Sequence, residues 1–386
     1  MQALAVFNRP KVRNALWQLI LLAVLIWLAI EFVVNAKSNL QAQNVRFGFG
    51  FLNDPAGFGI SQSLIPYSEA DTYGRVFLVG LLNTLLVSSL GIVFATVLGF
   101  FIGLARLSPN WLLARLAGGY VEFVRNLPLL FQILFWYLAV LGTMPLPRQS
   151  FSLFDWLFVN NRGIILPAPE AAAGTSATLL ALGVAVVSAI AFGLWARRHR
   201  ERTGRHIPAG LFGALLIIGL PLLAALAAGA PVTFERPELR GFNFVGGLRI
   251  VPEFVALLIA LSTYTAAFIA EIVRAGVLAV PRGQVEAAQA IGLRRGRILR
   301  LVVVPQALQV IVPPLTNQYL NLTKNSSLAV AIGYPDLFAV FAGTTLNQTH
   351  QAIEIIAITM AVYLVISLVT SLTMNLYNQR MQTRER

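Results

Sequence analysis

The residue types available limit what chemistry this chain can do. Cysteine is absent, which removes disulfides and thiolate metal sites. His199, His206 and His350 stand at no metal-ligand spacing, so no metal site is expected. There is no HExxH run and no G-x-S-x-G elbow. The lysines are Lys11, Lys37 and Lys324, and none lies in a phosphate-binding G-x-x-x-x-G-K-[ST] loop. The chain is therefore not expected to be an enzyme, and in particular not an ATPase. What remains is a set of polar side chains inside apolar runs, where such groups are costly and mark solute pathways. Asn317, Asn321 and Lys324 recur at helical spacing and form one stripe. With Gln132 and Thr265 they are the candidate substrate-pathway residues, although Lys324 would serve equally as a surface anchor. Asn83, Thr84, Ser88 and Ser89 belong to the same polar set. Glu122 with Arg125, and Glu271 with Arg274, are three apart and expected to pair on a helix face, for structure or gating rather than solute contact.

Such residues need elements that carry them through lipid. The chain has 386 residues, 57% hydrophobic and only 12% charged, far below the charged share of a soluble domain. Apolar runs long enough to cross a bilayer as helices lie at 15–34, 76–104, 118–142, 175–196, 209–228, 253–275, 303–322 and 354–377. The first is too long for a signal-peptide core and is read as a retained span. Pro305, Pro313 and Pro314 are expected to kink or break the 303–322 run. The net charge of +13 sits in segments flanking spans, without the aromatic interleaving of a nucleic-acid surface; lipid headgroups are the expected partner. Placing both termini in the cytoplasm puts roughly twice as many basic residues inside as outside. The largest inner cluster is Arg197, Arg198, Arg200, Arg202 and Arg205, between the fourth and fifth runs.

Residues 143–252 read as an insert: a Pro- and aromatic-rich outer stretch, two Ala/Leu/Gly-rich spans around the basic hairpin, and a second outer stretch. Its spans carry almost no polar residues, so lipid-facing packing is expected of them. The next segment carries more information. After the sixth run, Pro281 and Gly283 turn the chain, and Val285 to Ile291 reads as a short Ala-rich helix. Gly292 stands where a left-handed helix stop is expected, before Arg294, Arg295, Arg297 and Arg300. Glu286, near the helix start, would be favoured by the helix dipole. Ala287 and Ala288 would let a partner backbone approach. From residue types alone, a docking element and an ordinary interfacial linker helix remain equally open.

The pattern Glu286-Ala287-Ala288, then Gly292, then Val302-Val303-Val304-Pro305 resembles the EAA loop of ABC importer permeases, with valines where that motif has isoleucine and leucine. The surrounding VPRGQVEAA, PQAL, PPL, NLTKNSSL and GYPDL, and upstream GLLNTLLVSSLG, GLARLS and YVEFVRNLPLLFQ, resemble permeases for polar amino acids; together they cover about half of the chain. The layout is most similar to the longer permease subunit of general L-amino-acid and glutamate/glutamine/aspartate/asparagine importers. The resemblance implies an all-α polytopic protein of the type I importer class. A five-helix core (76–142 and 253–386) would be joined by an N-terminal helix and outer segment (1–75) and the two-helix insert (143–252). It implies a coupling loop at about 281–305, with Gly283, Glu286, Ala287, Ala288, Gly292 and Pro305 as its residues. It also implies a second related permease, two ATPase subunits that use ATP-Mg, a periplasmic amino-acid-binding protein, a bacterial inner-membrane location, and no cofactor on this chain. The alternative is an ion-coupled secondary transporter, which would need a titrating carboxylate within the spans.

Overall fold

The computed structural model describes residues 10–42, 48–204 and 208–382. Arg9, Arg46, Arg205, His206, Arg384 and Arg386 lie outside the described residues. Two compact units emerge: one holds the chain up to Ile133 and from Leu257 onward, the other Leu134–Ala256.

Each expected apolar run is helical. Helix α1 is Pro10–Ala42, α2 Tyr73–Arg106, α3 Trp111–Asn126 and α4 Leu129–Leu134, the last continuing in widened turns over Phe135–Leu141. Helix α5 is Thr175–Thr203, α6 Ala209–Ala228, α7 Pro252–Leu278, α8 Arg282–Ala290 and α9 Arg295–Ile298. Helix α10 is Val304–Asn325, α11 Leu346–Thr349 and α12 Ala352–Gln382. Among the described residues, 6 helices are long and apolar enough to cross a membrane, or up to 7 if the bent α3–α4 pair is one span. The apolar stretch of α1, Leu16–Phe32, is shorter than these.

The break in the core spans is not where the prolines of 303–322 led us to expect it. Helix α10 runs through Pro313 and Pro314, and Pro305 stands in its first turn, after a widened turn at Leu299–Val303. That turn loosens the backbone just where a proline ring would otherwise meet the preceding carbonyls. The run 118–142, expected as one helix, instead bends by 105° between α3 and α4. Leu127 is extended (φ −99°, ψ 131°), the conformation a following proline favours, and Pro128 offers no N–H to continue the helix.

The first unit is held by close helix approach. On α2, the small residues Gly91, Ala95, Gly99 and Gly103 are buried at four-residue intervals. A Cβ on Gly99 would lie 2.6 Å from Ile269 Cβ, and one on Gly103 2.8 Å from the Ala270 carbonyl. This is the small-xxx-small packing that joins helices in lipid, and here it seats α2 on α7. At the other end of α2, Tyr73 and Val76 pack with Phe51, Leu337, Phe341 and Ile355.

The second unit contains structure that the sequence reading did not anticipate. Its spans are helical, but its outer stretches form short strands: β1 Phe151–Leu153, β2 Leu157–Asn160, β3 Gly163–Leu166, β4 Ala168–Ala171, β5 Val232–Glu235, β6 Glu238–Arg240, β7 Asn243–Val245 and β8 Leu248–Ile250. Strands β1-β2-β3-β8 form one antiparallel sheet, and β4-β5 and β6-β7 form two ribbons. Ile165 faces Phe158 on one side and Arg249 on the other, so both outer stretches of the insert fold together.

Candidate functional site

The segment between α7 and α10 is built around one small apolar cluster. Ala288, Ile298 and Val303 are buried, with Val277, Val280, Val285, Leu293 and Val302 packed against them. Helix α8 begins after extended Pro281 and ends at Ala290, with Ile291 as its C-cap. The left-handed turn expected at Gly292 is present, with φ +80°. The Leu293 amide donates to the Ala288 carbonyl (3.2 Å) and the Gly292 amide to the Gln289 carbonyl (2.9 Å), the paired bonds of a Schellman stop. Leu293 then packs on the cluster, which fixes the direction in which the chain leaves.

This geometry revises three expectations. Gly283 lies within the first turn of α8 and does not form the turn before it, because Pro281 already starts the helix. Glu286 consequently falls in the second turn, beyond the reach of the N-terminal dipole. Ala288 faces this chain's own cluster at 5% exposure, so of the two alanines only Ala287 is exposed for a partner. Glu286 is also exposed. With Arg282, Gln289 and Arg295 it rims a cleft of about 450 Å³ whose floor includes Val277, Val280, Ile298 and Val303.

The polar set divides in two. On α10, Asn317, Asn321 and Lys324 are exposed on one stripe, and no hydrogen bond or ion pair engages their side chains among the described residues. Lys324 lines a cleft of about 430 Å³ with Ser327, Phe338, Thr359, Met360, Tyr363, Leu364 and Ser367. The others are drawn into the structure. The Gln132 amide donates to the carbonyls of Val124 (3.0 Å) and Leu127 (3.1 Å); the first also accepts from the Leu127 amide at the helix end (3.3 Å). Thr265 is buried within α7 at 3% exposure. Asn83 donates to the carbonyls of Gln62 (2.9 Å) and Pro335 (2.8 Å), and Thr84 accepts from the Leu337 amide (2.9 Å).

These last bonds belong to a buried clasp that the sequence reading missed. The Asp336 carboxylate accepts from the Ala339 amide (2.8 Å) and the Tyr363 hydroxyl (3.4 Å), capping the helical turns that begin at Leu337. Burial pushes its carboxyl up to about 7. The available signal was an aspartate just before an apolar helical run, a capping pattern.

The two expected ion pairs have opposite outcomes. Glu271 pairs with Arg274 (2.6 Å) and also with Arg106 at the end of α2. No ion pair joins Glu122 and Arg125 among the described residues; the Arg125 guanidinium lies over the Phe268 ring, 5.1 Å from its centroid. The one carboxylate of these pairs that is only partly exposed is thus held between two arginines, which argues against an ion-coupling role.

Residues 189–383 match the family described as "Binding-protein-dependent transport system inner membrane component". The chain is 54% identical over 380 residues to YhdX of Escherichia coli (strain K12), whose provisional name is amino-acid ABC transporter permease protein, covering 98% of this chain and 97% of that one. It is 50% identical to the general L-amino acid transport system permease protein AapQ of Rhizobium johnstonii, covering 98% and 94%. It is 45% identical to the glutamate/glutamine/aspartate/asparagine transport system permease protein BztB of Rhodobacter capsulatus, covering 95% and 92%. With helices able to span the membrane and this similarity along nearly its full length, the chain belongs to the inner-membrane components of binding-protein-dependent transport systems, among the polar amino-acid ABC transporter permeases.

Proposed function

We propose that this permease carries polar L-amino acids from periplasm to cytoplasm by alternating access, as one half of a heterodimer with a second related permease. Two ATPase subunits supply the energy from ATP-Mg, and a periplasmic binding protein delivers the solute. All eight expected runs, α1 and the bent α3–α4 pair included, act as spans, and both termini face the cytoplasm. Residues 281–305 form the loop on which an ATPase docks. The observation that carries this reading is the construction of α8. Its inner side is anchored by Ala288, its exit is fixed by the Gly292 stop, and its outer side presents Glu286 and Ala287 above an open cleft. A linker helix touching only headgroups has no need of so defined an exit.

The stripe of Asn317, Asn321 and Lys324 borders the pathway. Three polar side chains exposed on a membrane helix are costly against lipid, and a shared cavity with the second permease removes that cost. The experiment is to measure uptake and binding-protein-stimulated ATP hydrolysis in the same reconstituted vesicles. Glu286→Lys and Gly292→Val should abolish coupled uptake while the permease inserts at normal abundance. Normal coupling in both variants would overturn the docking assignment.

A further inference from the structure

The basic hairpin between α5 and α6 carries a feature that the transport reading does not use. Gly193, Ala196, Arg197 and Arg200 of α5 face Pro208, Ala209, Gly210 and Leu211 at the start of α6 across a cleft of about 430 Å³. One turn deeper, Phe192 packs edge-on against Phe212 (5.6 Å between centroids), closing the cleft toward the middle of the helices. Trp195 is exposed two residues before Arg197, the position of an aromatic residue at a membrane boundary. Only 6% of the apolar window of each helix is buried, so both helices present their length to acyl chains.

We infer that this cleft is a binding site for the phosphodiester headgroup of an anionic membrane lipid. Arg200 is in no ion pair among the described residues. Arg197 is shared only with Glu201 at 3.4 Å, both side chains well exposed, a weak competitor for a phosphate. An arginine fork matches phosphate oxygens in two-point geometry. The first amides of α6 at Ala209 and Gly210 come before the first helical bonds, which start at Leu211, and add donors and a positive dipole end beside the arginines. A headgroup held there leaves its acyl chains against the exposed sides of α5 and α6. A soluble anion would gain the arginines but not that apolar contact.

The test uses the full chain, purified with the subunits that accompany it and exchanged into lipid of defined composition. Native mass spectrometry counts retained phosphatidylglycerol against phosphatidylcholine, with inorganic phosphate as competitor. Arg197→Gln/Arg200→Gln should weaken phosphatidylglycerol retention by about tenfold or more. Arg198→Gln/Arg202→Gln, an equal charge change on the same helix outside the cleft, should leave retention near that of the parent. Gly210→Leu alters no charge and has open space for its Cβ; by filling the cleft it should lower retention as well. Equal losses in both arginine pairs would mean general attraction of a basic surface and overturn the site. Unchanged retention in the cleft pair and in Gly210→Leu would overturn it too, and displacement of the lipid by inorganic phosphate at stoichiometric levels would assign the cleft to a free anion.

Discussion

Gln132 reaches back across the sharpest bend in the core to donate to the Val124 carbonyl at 3.0 Å. A glutamine within an apolar run invites assignment to a solute pathway, but here its amide belongs to the backbone. Gln132→Leu should leave the partly buried Leu127 carbonyl without this donor and the Val124 carbonyl with the Leu127 amide alone, at a cost of about 1–3 kcal/mol. Thermal unfolding in detergent should shift downward accordingly, while the KM for uptake of the protein that does fold should be unchanged. A raised KM with unchanged melting would return Gln132 to the pathway.

Gly99 leaves no room for a side chain. Gly99→Val should force α2 from α7 and cost about 1–3 kcal/mol by overpacking. Pairing Gly99→Ala with Ile269→Ala should recover part of the loss of Gly99→Ala alone, since the two residues meet at that point. Melting of the four forms of the cycle gives the coupling directly.

Adjacent alanines should behave differently. Ala288→Leu enlarges a buried position of the small cluster and should lower stability by about 1–3 kcal/mol. Ala287→Leu is exposed and should leave stability within about 0.5 kcal/mol, yet reduce binding-protein-stimulated ATP hydrolysis. Equal effects of the two on hydrolysis at matched folded protein would count against a partner on the outer side of α8.

On α10, Asn321→Leu and Lys324→Met should each lower uptake severalfold with assembly of the complex intact, measured by co-purification of the partner chains. Kinetics identical to the parent in both would make the stripe a subunit contact only.

The Asp336 carboxyl titrates near 7 in the folded chain because it is buried, and in the ordinary carboxylate range when unfolded. The folded state therefore binds the extra proton, and stability falls as pH rises through the interval between those two values, levelling above about 7. Asp336→Asn should flatten this slope, and melting temperatures between mildly acidic and mildly alkaline buffer will show whether it does.

The spans were legible because long apolar runs have few other destinations. The stop at Gly292 was legible because an Ala-rich helix followed by glycine and a basic run has one economical ending. The break at Pro128 was not, since one proline looks weaker than the three of 303–322. At the bend Gln132 supplies the Leu127 carbonyl with a donor, while α10 absorbs its prolines in a continuous helix. The strands of the insert were hidden by their shortness: three or four residues carry too little alternation to register. The buried roles of Asn83 and Thr84 depend on the turn at Pro335 and Leu337, some 250 residues away in sequence, and no local pattern reports such a partner.

The seam of small residues between α2 and α7 has a mechanical consequence. Two helices in backbone contact through Gly99 and Gly103, and tied at the same end by Glu271 to Arg106, have no compliant side-chain layer between them. A push delivered to the loop beyond Leu278 therefore finds no soft joint in which to dissipate. If an ATPase docks on that loop, the displacement would be carried along α2 as by a stiff beam, past Asn83 and its bond to the Pro335 carbonyl.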